Sequence, residues 1–221
     1  MFEGHDRQLL VAALMVGVLV SVALQGLPPE GRAPIAVDVS ALPPVPATAA
    51  PDGTPLQTDV PERTVDLGGG FEATLMHGYV LEGEVVTRRE FWRGTVSAVS
   101  PLDLGIVWGN LAPGSATDAV AFRAGHRMVS FQPLPGIPLS GNWEVQVTNN
   151  HLVPASDAVR DALLAVRPGD RVRLRGYLVT VTGEGMAPWQ SSTRRDDNTI
   201  IGGCEIILVR EVEILSASSA T

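Results

Sequence analysis

Leu9–Leu27 is a run of 19 residues without a charge, and only Ser21 and Gln25 in it are polar. No other stretch limits the fold so strongly. As a helix it would extend roughly 28 Å at about 1.5 Å per residue, close to the ~30 Å hydrocarbon core of a bilayer. The expectation is a single transmembrane anchor over residues 9–27, behind a short tail at 1–8. A cleaved signal peptide is the alternative, with Ser21-Val22-Ala23 as the small-residue site. The anchor is favoured because Glu3 and Asp6 offset Arg7, so the leading segment is not positive. A short tail before the run and a large domain after it is the signal-anchor arrangement. It predicts an inner-membrane, single-pass protein with its C-terminal domain outside the cytoplasm.

Behind this run, residues 28–64 hold nine of the chain's 17 prolines and no aromatic residue. A tract of that composition has too little apolar area of its own to offset its ordering entropy. It reads as a Pro/Ala-rich disordered linker over 28–65 that would reach roughly 35 Å as a flexible coil. The alternative is that part of it packs along the domain.

From residue 66 the pattern changes to short alternating strands, and the folded domain is placed at 66–215, with a flexible tail at 216–221. Strands are expected over Tyr79–Val86, Trp143–Thr148, Arg171–Val181 and Cys204–Leu215. Weaker ones are expected around Phe91–Val99, Leu104–Trp108 and Arg127–Phe131. One helix stands among them. Ser156 is a suitable N-cap, Asp157 suits the first turn, and Val159, Ala162, Leu163 and Val166 recur at helical spacing before Pro168-Gly169. Several strands, one short helix and two further strong strands give a mainly β chain. The order suits a small OB-like β-barrel, or a related barrel with an inserted helix.

Charge removes several functions. The net charge is −8, which disfavours non-specific duplex binding. Every basic residue is an arginine, so catalytic-lysine, Schiff-base and Walker A chemistry are absent. One cysteine gives no disulfide framework, and His5, His77, His126 and His151 lack ligand spacing. No metal and no cofactor are expected. Asp196, Asp197 and Glu205 offer calcium chemistry, but Arg194-Arg195-Asp196-Asp197 reads more simply as an ion-paired loop.

Polar residues gather in three segments read as loops, Ser100–Gly109, Asn149–Ala155 and Trp189–Glu205. These yield the candidate binding residues Asp103, Trp108, Asn150, Trp189, Ser191, Ser192, Arg194, Asp196 and Glu205. His151 and Cys204 are the candidate catalytic pair, as base and nucleophile, with Asp196 or Asn150 orienting the imidazole. Against this, a lone cysteine opening an apolar strand is commonly a small buried residue. Arg171, Arg173 and Arg175 share one strand face, near Tyr177 and Trp189. That resembles the stacking-plus-charge face of a single-strand nucleic-acid binder. The favoured reading is an outer face neutralised by Glu211 and Glu213 on the next strand, so nucleic acid is not an expected partner.

Four sequence words stand in order: Ser100–Leu104 with Trp108-Gly109, Asn149–Ala155, Gly169–Val179, and Trp189–Arg194 with Cys204-Glu205. In this combination the chain resembles a group of uncharacterised bacterial proteins that often carry one N-terminal hydrophobic segment. The likeness spans roughly residues 79–210. The stretch from Arg194 to Cys204 is longer than the compact Asp-Thr-Gly pattern of that group. The resemblance implies no particular activity. Three functions follow as expectations. The first is a membrane-tethered envelope β-barrel that binds a protein or small-molecule partner. The second is a Cys/His hydrolase or transferase. The third is an OB-type single-strand binder.

Overall fold

The computed structural model describes residues 37–51, 53–111, 118–139, 141–194 and 203–216. The expected anchor at 9–27, the tail beyond 216, and Asp196 and Asp197 lie outside these residues. Among the described residues no helix is long and apolar enough to cross a membrane.

The chain is mainly β. Its strands are β1 (Leu56–Asp59), β2 (Thr64–Gly68), β3 (Phe71–Glu90), β4 (Leu102–Val107), β5 (Val120–Gly125), β6 (Met128–Pro133), β7 (Val147–Pro154), β8 (Arg171–Gly183), β9 (Trp189–Gln190) and β10 (Glu205–Ser216). Among the described residues the α-helix is α1 (Asp157–Ala165). Five strands pair in a closed ring. β3 runs antiparallel to β4, β4 to β7, β10 to β8, and β8 back to β3, while β7 and β10 are parallel. β3 serves both ring neighbours along its length, Phe71–Glu84 against β8 and Glu84–Glu90 against β4, with register shifts at Leu75/His77 and Val85/Thr87. Gly83 lies where β3 crosses the end of β4. A Cβ there would stand 2.3 Å from the Val107 carbonyl oxygen, so the crossing requires a residue without one.

Alternation assigns the faces. Leu81, Leu104, Ile106, Leu152, Leu174, Leu178 and Ile207 form the inner cluster, which Leu163 and Val166 of the helical segment join. Ser156 caps α1 as expected, its Oγ accepting from Val159 N. The helix ends at Ala165 with Val166 as C-cap, one turn earlier than Pro168-Gly169 suggested, and Ala162 is exposed.

Residues 37–65 are not the free tether their composition predicted. Val37 and Leu42 are buried, with Val45 and Val60 packed beside them, against Tyr177, Val179 and Leu208 on the outer face of β8 and β10. Proline-rich backbone has few donors but keeps its carbonyl acceptors, and β8 supplies donors to them. Tyr177 OH donates to the Pro43 oxygen, and Arg175 donates to Pro46 O at 3.0 Å. Val37 N bonds Ala155 O at 3.1 Å, and Ala49 N bonds Glu82 Oε1 at 3.2 Å. The composition argument counted only the segment's own apolar area. The sheet provides the rest. Burial raises the Tyr177 hydroxyl pKa, against the lowering effect of Arg210 and Arg175.

Two other expectations change. Trp143–Val145 is a 3-10 turn, and the strand starts at Val147. Phe91–Val99 is likewise not a strand, since β3 ends at Glu90 and Thr95–Ala98 is a 3-10 turn. More consequentially, Ser100–Gly109 and Asn149–Ala155 are not loops: β4 carries the weaker strand expected at Leu104–Trp108, and β7 runs through the second segment. Every residue of both strands is buried. The reason is the β5–β6 hairpin, which covers their outer face. Val107, Leu111, Val120, Val129, Trp143 and Val147 form a second core beneath it. Phe131 meets Trp143 edge-on at 5.7 Å. A strand covered on both sides loses the in/out alternation that would reveal it.

Candidate functional site

Asp103 on β4 and His151 on β7 are direct cross-strand partners. Both point outward, away from the interior that holds Leu104 and Leu152. Both are buried, Asp103 3% and His151 5% exposed. His151 Nδ1 lies 3.0 Å from Asp103 Oδ2. The contact is within ion-pair distance but lacks hydrogen-bond alignment, and Oδ2 has no hydrogen-bond partner. Asn149 Nδ2 stands 3.5 Å from the same Nδ1. The Trp189 ring, fixed on β9 by pairing with β8, sits 4.9 Å from the imidazole.

The cation of the cluster comes from a residue the sequence did not single out. β5 and β6 are joined by His126 and Arg127, with Gly125 paired to Met128. Both turn residues have positive φ, 48° and 56°. Two-residue hairpin turns require this handedness, and non-glycine residues accept it at a cost of about 1 kcal/mol each. The turn carries Arg127 onto the cluster. NH1 donates to Asp103 Oδ1 at 3.0 Å, and NH2 donates to Ser100 O at 3.0 Å. The guanidinium lies 3.9 Å from the Phe91 centroid and 5.9 Å from that of Trp189. Asn149 Nδ2 donates to the Arg127 carbonyl at 3.1 Å, which ties the turn down. Burial lowers the Arg127 pKa, and the Asp103 carboxylate opposes that shift. One available signal was the pattern around Gly125-His126-Arg127, a two-residue break between alternating runs.

The opposite face of β7 and β10 holds a smaller polar group. Glu205 is the register partner of Asn150. The Glu205 carboxylate accepts from Thr148 Oγ1. Asn150 Nδ2 donates to Leu104 O at 3.1 Å and Thr148 O at 3.3 Å, while its Oδ1 has no partner.

Of the sequence-selected residues, Asp103, His151 and Trp189 therefore meet. Asn150 and Glu205 meet separately on the inner side. Trp108 is a core residue. Ser191 Oγ accepts from Ile206 N at 3.0 Å and donates to Ser192 O at 2.9 Å. Ser192 N donates to Cys204 O at 3.1 Å, and Ser192 Oγ accepts from Arg194 N. Cys204 is half-buried. It directly precedes β10, whose Ile206 is the register partner of His151. Among the described residues no group of three His, Cys, Asp or Glu side chains is arranged to hold a metal.

The arginine row carries the acids expected for it. Arg173 donates to Glu213 Oε2 at 2.7 Å and Arg175 to Glu211 Oε2 at 2.6 Å. Arg173 Nε also donates to Glu82 Oε1 at 2.7 Å. That bond leads the effects that raise the Arg173 pKa. At Glu82, burial opposes ionisation, but the bonds from Arg173 and Ala49 N outweigh it and hold the carboxyl below its ordinary value. Comparison with known protein families, curated proteins and solved structures finds no match.

Proposed function

We propose that this chain is a membrane-tethered β-barrel binding module of the bacterial envelope, anchored through residues 9–27 and acting on a protein or small-molecule partner without catalysis. The ring order β3-β4-β7-β10-β8, its parallel β7–β10 pair and a helix between β7 and β8 support reading the barrel as OB-type. One observation carries the non-catalytic reading. The polar residues of the cluster are engaged in holding the chain's own hairpin: Asp103 grips Arg127, and Asn149 grips its carbonyl. OB-type barrels bind oligonucleotides over the face of their second and third strands, here β4 and β7. That face is covered by β5–β6. With Arg173 and Arg175 also ion-paired, the nucleic-acid reading loses both of its surfaces.

Cell fractionation with protease treatment tests the proposal. The full chain is expected in the membrane fraction, its domain cleaved by protease added to the extracytoplasmic side. A soluble chain, or a domain cleaved only after the inner membrane is opened, would overturn it. A second reading keeps Cys204 and His151 as nucleophile and base, and the position of Cys204 two residues before Ile206, the register partner of His151, favours it. Iodoacetamide separates the two. Slow labelling of native Cys204 relative to the unfolded thiol fits the binding module, whereas faster labelling indicates an activated thiolate and a catalyst.

A further inference from the structure

Arg127 is held as a bound guanidinium ligand would be held. Phe91 covers one face at 3.9 Å, and Trp189 stands at 5.9 Å. Asp103 Oδ1 and the Ser100 carbonyl accept from its two terminal nitrogens at 3.0 Å each. Carboxylate, carbonyl and aromatic faces together are the chemistry that recognises a guanidinium rather than an ammonium. None of these groups belongs to the hairpin. Asp103 lies on β4, Trp189 on β9, and Phe91 follows β3, its N–H bonded to Pro101 O at 2.8 Å.

The occupant fits less well than the receptor is built. Arg127 reaches the site from a turn in which both residues hold left-handed backbone conformations. It engages one oxygen of the carboxylate. Asp103 is 3% exposed, and its Oδ2 makes no hydrogen bond, its one near contact being His151 Nδ1 at 3.0 Å. An arginine side chain free of the turn can present its flat fork to both oxygens, the arrangement guanidinium–carboxylate pairs favour. The chain's net charge of −8 also draws basic partners toward it.

We infer that Phe91, Ser100, Asp103 and Trp189 form a receptor for an arginine side chain of a partner peptide, and that Arg127 occupies it in cis until a partner displaces the hairpin tip. The inference rests on the binding-module reading and names the chemistry of its partner. Arg127 competes at the effective concentration of a short tether, about millimolar. The wild-type site is therefore masked, and its removal unmasks it.

The test uses the full chain with Arg127→Gly, which deletes the side chain and suits the positive φ. By calorimetry, the variant is expected to bind Nα-acetyl-arginine amide saturably, and about tenfold or more tighter than the lysine analogue or the wild type does. Adding Asp103→Asn should abolish binding. A folded R127G chain that binds neither amide, or binds both equally, overturns the inference. If R127G is too unstable for calorimetry, its melting temperature must rise with the arginine amide and not with the lysine analogue; no selective rise is equally fatal. An R127G chain that fails these tests while the wild type keeps its envelope location and slow thiol labelling overturns only the arginine receptor, leaving the binding module in place.

Discussion

Gly176→Ala tests whether the ring closes as described. Gly176 on β8 pairs with Tyr79 of β3 on one side and Val209 of β10 on the other. An added Cβ would lie 2.0 Å from Leu208 O, 3.0 Å from Leu208 C and 3.1 Å from Val209 Cα. The first distance falls about 1.3 Å short of an ordinary carbon–oxygen contact of ~3.3 Å. All three atoms are backbone, so no side chain can rotate away, and β10 must shift. Overpacking of this kind costs about 1–3 kcal/mol. Losing one ladder hydrogen bond adds about 1 kcal/mol. The sum is roughly 3 kcal/mol, a fall in melting temperature of about 6–12 °C for a domain of this size. Gly125→Ala is the control. Its added Cβ meets nothing within 4 Å and its φ is not positive, so the change should stabilise by about 0.5 kcal/mol through the unfolded chain. Thermal unfolding followed by circular dichroism measures both. A Gly176→Ala chain within about 1 kcal/mol of wild type would refute the close β8–β10 approach.

Ser156→Ala removes the Oγ that accepts from Val159 N and should cost about 1 kcal/mol in denaturant unfolding; an unchanged midpoint would mean the cap contributes nothing. The folded-state pKa of Glu82 is depressed from 4.5 by its bonds to Arg173 and Ala49 N. Its stabilising contribution is therefore complete above the ordinary value and is lost as pH falls through the lowered one. Wild type should lose stability on acidification below about pH 5 more steeply than Glu82→Gln, whose side chain does not titrate in that window. Parallel acid limbs in the two chains would exclude a role for this group.

Local signals are legible in this sequence where one face meets water. Arg171, Arg173 and Arg175 alternate with Val172 and Leu174 because only one side of that part of β8 faces the interior, and the acids across the strand followed from the same register. Ser156 and the spacing of Val159, Leu163 and Val166 announced α1 because a cap and a stripe are contained within one turn or two. Asp103, His151 and Trp189 were selected as chemistry-bearing residues, and they do meet. Their setting was not legible. β4 and β7 are covered on both faces, so Asn149-Asn150-His151 reads as a polar loop when it is the centre of a buried strand. The turn at Gly125-His126-Arg127 was legible, but the role of Arg127 was not, because it depends on the hairpin folding back onto Asp103, 24 residues away in the chain. The Pro-rich segment was misread for a related reason. Its composition fixed how little apolar area it owns, while the groove that supplies the remainder is made by β8 and β10, more than 100 residues later. Sequence by itself determined the mainly β class, the helix, the paired arginine face and the identity of the reactive side chains, since these depend on neighbours within a few positions. Tertiary structure decided which faces are covered, and so which polar residues are bound by the chain itself, because burial is a property of contacts between segments that the chain brings together only on folding.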